Sequence, residues 1–257
     1  MVKSLSIKSL YALALAEGEG VGTAYEYFAK RLVLRRWLKK RPSRILIAGL
    51  PQKYGSSLDF VQLAAEMGAV LTIVDDRAEA LDKARGSLAA AQGMGWLTAV
   101  SPTFITITAL DRMNELEQSY DLVLSSEVLQ RLDDPTRQGY VKRVWEMGTA
   151  VALFCPNKAN NAHVGISGLN GLHLQELQTL AANSTTHHLD RFGYIDMPPF
   201  PPGITRSDTQ REQASSGTLE AAAMWGLGIY ARLEKWFPIG LRRSRSHIVY
   251  ALTSRNP

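Results

Sequence analysis

Short runs of apolar, often β-branched residues recur along this chain, and each is followed by a segment with helical periodicity. Five runs fall between residues 44 and 156: Arg44-Ile45-Leu46-Ile47-Ala48-Gly49, Ala69–Val74, Thr103–Thr108, Asp121–Ser125 and Ala150–Cys155. Most are continuous rather than alternating, the pattern of strands buried on both faces of a parallel sheet. Between them, Leu58–Met67 is periodic and stops at Gly68, Ala78–Ala91 is rich in alanine and leucine, and Pro135–Met147 reads as a further helix. Strands alternating with helices at this spacing predict an α/β, doubly wound, mostly parallel sheet.

The regularity changes beyond Pro156. Asn157–Gly171 is rich in Asn, Gly and Ser and is expected to be a loop, followed by a helix over Leu172–Ala182. His188–Ile195 and His247–Leu252 read as two more strands. Between them lies Pro198-Pro199-Phe200-Pro201-Pro202-Gly203, too rich in proline for a helix or an inner strand. A polar stretch then runs to Thr218, and Leu219–Trp236 has helical character. With no internal repeat and no linker, the expected organisation is an N-terminal helical extension, 1–43, and one domain, 44–257, carrying an insertion at about 196–240.

Charge is unevenly placed. Of a formal net charge of +5, much comes from Lys30, Arg31, Arg35, Arg36, Lys39, Lys40, Arg41 and Arg44, with Arg242, Arg243 and Arg245 forming a second cluster. Within the first cluster Tyr25, Phe28, Leu32, Leu34, Trp37 and Leu38 recur at near-helical spacing. That pattern predicts an amphipathic helix, ended by Pro42 and Ser43, with its apolar side on the domain and its charges in water. Nucleic acid is not an expected partner on this reading. The single cysteine, Cys155, excludes an internal disulfide and a cysteine-rich zinc site. No apolar run reaches the roughly 18 residues of a membrane span, and the first residues lack the pattern of a secretory signal, so the expected location is cytoplasmic.

The unit that carries chemical information is the first strand, loop, helix and second strand. Gly49 ends the first strand, where a ligand can approach backbone amides at the start of the next helix. Asp75 ends the second, a position from which a carboxylate can accept both hydroxyls of a ribose; its alternative role is a helix N-cap. Both groups face the crevice beyond the carboxyl ends of the strands. A nicotinamide-dependent dehydrogenase would need Gly-x-Gly-x-x-Gly here, and Pro51 and Tyr54 stand in two of those glycine positions.

Two further segments resemble motifs of the class I S-adenosylmethionine-dependent methyltransferases. Val74-Asp75-Asp76-Arg77-Ala78-Glu79-Ala80-Leu81 is similar to the family's second motif, in which an acidic residue ends the strand and a helix follows directly. Tyr120-Asp121-Leu122-Val123-Leu124-Ser125-Ser126-Glu127-Val128-Leu129 is similar to its fourth, an aromatic-Asp-Leu-Val strand with a short polar segment and a leucine. The resemblance covers about residues 44 to 155. It implies a Rossmann-like, seven-stranded sheet, S-adenosylmethionine as cofactor, and methyl transfer; the apolar surface of Met197 and Phe200 suggests that the acceptor is small and partly hydrophobic. The chain departs from the family at Ile47, where an acidic residue is usual, in the loop Gly49-Leu50-Pro51-Gln52-Lys53-Tyr54-Gly55, and at Arg131, where His is frequent. These departures leave a catalytically inactive binding or assembly module as the alternative.

Carried over residue by residue, the resemblance places Gly49 and Leu50 at the methionine end of the cofactor, with amides from Leu50 and Gly55 available to it. Asp75 would hold the ribose, Asp76 would lie beside the adenine, and Ala109 and Leu110 would pack on it, with Asp111 as a displaced acidic member. Ser126 and Glu127 would border the sulfonium; a solvent-facing first-turn carboxylate is the other reading of Glu127. Tyr25 or Tyr27 could cap the cofactor from the basic helix. A sulfonium is already activated, so a general base is needed only if the acceptor must lose a proton. Among His163, His173, His187 and His188, His163 is the candidate, because its loop follows the fifth strand directly. The same loop and Met197–Thr218 are expected to cover the acceptor.

Overall fold

Ile45 and Ile47 point to one side of their strand and Leu46 and Ala48 to the other, and both sides are buried, in two separate apolar clusters. That arrangement is why the run is continuously apolar. The computed structural model describes residues 5–116, 119–200 and 218–256. Its strands are β1 (Arg44–Ala48), β2 (Val70–Asp75), β3 (Thr103–Thr106), β4 (Tyr120–Ser126), β5 (Gly148–Pro156), β6 (His187–Ile195) and β7 (Ile248–Arg255). They form one seven-stranded sheet in the order β3-β2-β1-β4-β5-β7-β6. The first five strands are parallel; β7 runs antiparallel to both β5 and β6. Strand order reverses between β1 and β4, so the crevice at their carboxyl ends is the topological switch point where open α/β sheets bind ligands.

The helices are α1 (Ile7–Ala16), α2 (Val21–Trp37), α3 (Leu58–Met67), α4 (Ala78–Gly93), α5 (Asp134–Met147), α6 (Asn161–Ser167), α7 (Leu174–Ala182), α8 (Thr218–Leu233) and α9 (Ile239–Arg245). One cluster joins Ile45, Ile47, Leu122, Leu124 and Phe154 to α1–α4; the other joins Leu46, Val123, Leu153 and Cys155 to α5 and α7. Helices α1 and α2 pack on each other, on α3 and on α8.

Several boundaries differ from the sequence expectation for physical reasons. Helix α2 stops at Trp37, well before Pro42, because Leu38 takes an extended backbone. The chain is then captured by Asp121, whose Oδ2 accepts from Ser43 N at 2.7 Å and Arg44 N at 3.0 Å. Asn157–Gly171 is not all loop: it contains α6, started by the Asn160 side chain accepting from His163 N at 3.1 Å. The basic face, expected to be mainly solvated, has two buried members. Lys30 and Arg31 are 1% and 3% exposed, while Arg35, Arg36, Lys39, Lys40 and Arg41 remain in water. Most of the proposed cover Met197–Thr218, from Pro201 to Gly217, lies outside the described residues.

Candidate functional site

Gly49 has φ of +78°, and a Cβ there would lie 2.8 Å from a methyl of Val128. Only glycine lets β1 end this close to the segment after β4. Leu110 reaches the same corner, 3.5 Å from that Cβ position, whereas Asp111 packs beside Gly139 of α5. Ala109 stands just before Leu110, half-buried. The next residue, Leu50, turns its amide onto Asp75 Oδ2 at 2.6 Å, joining the end of β1 to the end of β2.

Asp75 is fully buried, and its carboxylate is already occupied. Oδ1 accepts from Arg77 N at 2.9 Å and Arg77 Nε at 2.8 Å; Oδ2 accepts from Leu50 N, from Arg77 Nη2 at 3.0 Å and from Arg131 Nη2 at 3.0 Å. A carboxylate offers about four lone-pair sites, so these donors saturate it. Burial raises its pKa, but Arg77 and Arg131 outweigh that and hold it below the ordinary carboxylate value. Arg131 spans both acids, since its Nη1 donates to Asp76 Oδ1 at 2.8 Å. Asp75 does not cap α4, whose N-cap is Arg77 without a side-chain bond. Arg131, the residue that departs from the family pattern, thus lies on the group expected to hold a ribose.

The loop after Gly49 is also engaged from within. Gly55, with φ of +69°, packs against the Tyr27 hydroxyl, and its amide donates to Glu19 Oε1 at 3.3 Å. Glu17 Oε1 accepts from Ser56 N at 2.7 Å and Leu58 N at 3.1 Å, satisfying the first amide of α3 and one just before its N-cap. Burial pushes the Glu17 carboxyl up to about 7. The Leu50 and Gly55 amides, expected to face a ligand, therefore both have protein partners. Tyr25 and Tyr27 are buried, with their hydroxyls donating to Glu234 and Glu17, so neither is a free cap.

Beyond β4 and β5 lies an ionic centre. Ser126 ends β4, and Glu127 follows with φ of +54° and its amide donating to Phe154 O. Lys30 reaches in from α2, with Nζ 2.9 Å from Glu26 Oε1, 3.2 Å from Ser126 Oγ and 3.9 Å from Asp59 Oδ2. Burial opposes its charge, but Asp59 and Glu26 prevail and keep its pKa above the usual lysine value. Glu127 is buried rather than solvent-facing; burial first and Glu26 second raise its pKa well above the usual range. Asp196, after β6, meets His247, before β7, at 3.2 Å between Oδ2 and Nδ1. Despite burial, Asp196 raises the His247 pKa. His163 of α6 stacks on His247 with ring centroids 4.2 Å apart, and burial and His247 lower its pKa to about 4. Glu127 Oε2, Asp196 Oδ1 and His163 Nδ1 are buried without a hydrogen-bond partner. Unpaired buried polar atoms are costly, and these three come from the segments after β4 and β6 and from α6.

The other histidines have structural surroundings. His173 is the N-cap of α7, His188 pairs with Asp190, and His187 stacks on Trp145 at the opposite end of the sheet. An open groove of about 980 Å³ lies between α5 and α7, lined by Arg137, His173, Glu176, Tyr194 and Arg243 among others. None of the residues around Asp75 or Glu127 borders it, and its lining has no buried unpartnered group, so it is not the chemical centre.

Sequence reading did not single out Glu26, Asp196 or His247, nor the pairing of Lys30. The available signals were the Glu26/Lys30 spacing of four within an otherwise apolar helical stretch, and a histidine immediately before the last strand.

By sequence the chain matches no protein-family model and no curated protein. By structure it is similar to the methyltransferase domain of bacterial CtHen1, with a TM-score of 0.56 and 16% identity over 90% of this chain and 100% of that one. It is also similar to the N-methyltransferase NodS from Bradyrhizobium japonicum WM9, solved with S-adenosyl-L-homocysteine: TM-score 0.52, 14% identity, 91% and 88% coverage. Magnesium protoporphyrin IX methyltransferase (ChlM) from Synechocystis PCC 6803, solved with the same compound, gives a TM-score of 0.51 at 13% identity, with 91% and 83% coverage. The fold is that of the class I methyltransferases.

Proposed function

We propose that this chain is an S-adenosylmethionine-dependent methyltransferase acting on a small acceptor, with the ionic centre as its reaction site. The observation that carries the reading is the set of buried, unpartnered atoms on Glu127, Asp196 and His163 at the carboxyl end of the sheet. Unpartnered carboxyl oxygens there suit a cationic sulfonium, whose positive charge would favour the ionised form of Glu127, so the residues fit the methyl-donating end of the cofactor. The ribose end fits once Arg131 and the Arg77 Nη2 group release Asp75 Oδ2, since the carboxylate is otherwise saturated.

When bound, the cofactor supplies an activated methyl group, and alignment of the acceptor does most of the remaining work. Gly49 and Leu50 give the backbone of the methionine side, Gly55 sets the far end of the loop, and Ser126 and Glu127 border the sulfonium. Asp75 and Asp76 take the ribose and adenine edge, with Ala109 and Leu110 against the base. His163 is neutral at pH 7, because its pKa lies near 4, and its free Nδ1 accepts a hydrogen bond from the acceptor. His247, held at Nδ1 by Asp196, is the stronger base of the stacked pair and takes up a proton if the acceptor releases one.

The saturated Asp75 and the engaged Leu50 and Gly55 amides favour a second reading, a methyltransferase-like binding module without turnover. Formation of S-adenosylhomocysteine from S-adenosylmethionine, on adding a small-molecule cell extract, separates the two. The methyltransferase reading expects product that depends on the extract and falls sharply in Glu127→Gln. Bound cofactor with no product above background would leave the module.

A further inference from the structure

From Ala222 to Tyr230, helix α8 carries no charged residue. Its inner side buries Met224 and Ala231 in the core, with Leu227 and Tyr230 packed alongside. Its outer side presents Trp225, Ile229 and Leu233, and the stripe continues through Trp236 of the short helical turn Glu234–Trp236 to Ile239 and Leu241 of α9. The spacing of four, four and three places Trp225, Ile229, Leu233 and Trp236 on one face, about 16 Å long at 1.5 Å per residue. Trp225 and Trp236 are 72% and 75% exposed, and α9 has no buried residue at all. A stretch of helix that is apolar on every side belongs in a core or against an apolar phase, yet half of this one faces outward.

Along Trp225–Arg245 the exposed charges are of one sign. Arg232, Lys235, Arg242, Arg243 and Arg245 follow one another from the end of α8 through α9, and the acid between them, Glu234, is buried against Tyr25 and the Met197 amide. Lys235 Nζ lies 5.0 Å from the Trp236 ring centre. Arg243 and Arg245 are exposed and form no salt bridge among the described residues. A symmetric contact with a second copy would bring these like charges together. A nucleic acid would answer the arginines but leave the tryptophans in water.

We propose that the α8–α9 surface lies on an anionic lipid bilayer, with Trp225, Trp236, Ile239 and Leu241 in the headgroup–acyl boundary and the arginines on lipid phosphates. Exposed indoles flanked by lysine and arginine are suited to that boundary, where one end of the side chain is apolar and the other wet. The surface is joined to the ionic centre, because Glu234 accepts from the Met197 amide, the residue after Asp196.

Flotation of the full chain tests this with phosphatidylcholine vesicles, with and without about 30 mol% phosphatidylglycerol, at low and high salt; binding should favour the anionic vesicles and weaken with salt. Trp225→Ser/Trp236→Ser and Arg243→Glu/Arg245→Glu change exposed residues only, so both should melt like the parent. Each should lower the bound fraction by about tenfold or more, through lost apolar insertion or lost lipid attraction. The proposal is overturned if the parent stays unbound on anionic vesicles, or if the folded variants float as it does. It is equally overturned if gel filtration shows a dimer that the tryptophan variant dissolves, because a second copy then covers the stripe. No cofactor is needed in this assay, so it stands or falls independently of methyl transfer.

Discussion

Replacing Arg131 by Met removes the guanidinium from Asp75 while keeping an unbranched side chain of similar reach. In the parent, Oδ2 carries three donors, and a ribose hydroxyl takes that oxygen only after both the Arg131 and the Arg77 Nη2 bonds, each 3.0 Å, have opened; the variant removes the first of these costs. A hydrogen bond to a charged group is worth about 1.5–3 kcal/mol, and each 1.4 kcal/mol is about tenfold in affinity. Arg131→Met is therefore expected to bind S-adenosylhomocysteine about ten- to a hundredfold more tightly than the parent. Asp75 remains compensated in the variant by Arg77 and by the Leu50 amide. Folding should thus lose only about 1–3 kcal/mol, a few degrees of melting temperature for a chain of this size. Calorimetric titration of both proteins reads the affinity, and a circular dichroism melt establishes that the variant is folded. A folded variant that binds equally well or more weakly refutes the reasoning: Arg131 would then not compete with the ligand. Asp75→Ala is a poorer probe, because it strands two arginines in the same step.

Other outcomes follow from the buried charges. Lys30→Met leaves Glu26 and Asp59 without its ammonium, and urea unfolding should show a loss of about 3–5 kcal/mol, partly recovered by adding Asp59→Asn. An unchanged midpoint would mean that Lys30 is not the counter-ion of that cluster. Glu17 has a folded pKa raised to about 7 from 4.5, so the folded state keeps its proton where the unfolded chain has lost it. Its contribution is complete below pH 4.5 and declines as pH rises to about 7, by on the order of 3 kcal/mol. Glu17→Gln should flatten that slope in urea titrations across the same window; an identical slope in both proteins would contradict the assignment. Gly49→Ala places a Cβ against Val128 at positive φ and should cost about 1–3 kcal/mol in the same assay, whereas no loss would show that the corner can relax.

The sheet was legible because its central strands are buried on both faces, so runs such as Ile45–Ala48 and Leu122–Leu124 are apolar without a break. The two motif-like segments also land where a doubly wound sheet puts ligands, at the ends of β2 and β4. What escaped the sequence depends on partners far along the chain. Arg131 reaches Asp75 across 56 residues, and the chain entering β1 is held by Asp121, in another strand, through the amides of Ser43 and Arg44. Lys30 and Arg31 read as part of a solvated basic run; their burial follows from Asp59 and Glu66, on a helix that no local pattern pairs with α2. Helix α6 was hidden by its asparagines and glycines, although Asn160 supplies its cap. His163 was visible as the histidine nearest the carboxyl end of β5, but its stacking partner joins it only when β7 folds back beside β5.

The central claim is that the switch-point crevice of this chain receives S-adenosylmethionine. Its most direct test is isothermal titration of the full chain with S-adenosylhomocysteine, run beside Arg131→Met so that a closed ribose corner is not mistaken for a missing site. Saturable one-to-one binding by the parent, tightened in the variant, is the predicted result. If neither protein, both shown to be folded, takes up the nucleoside at about millimolar concentration, where even a −4 kcal/mol interaction registers, the crevice is not a cofactor site.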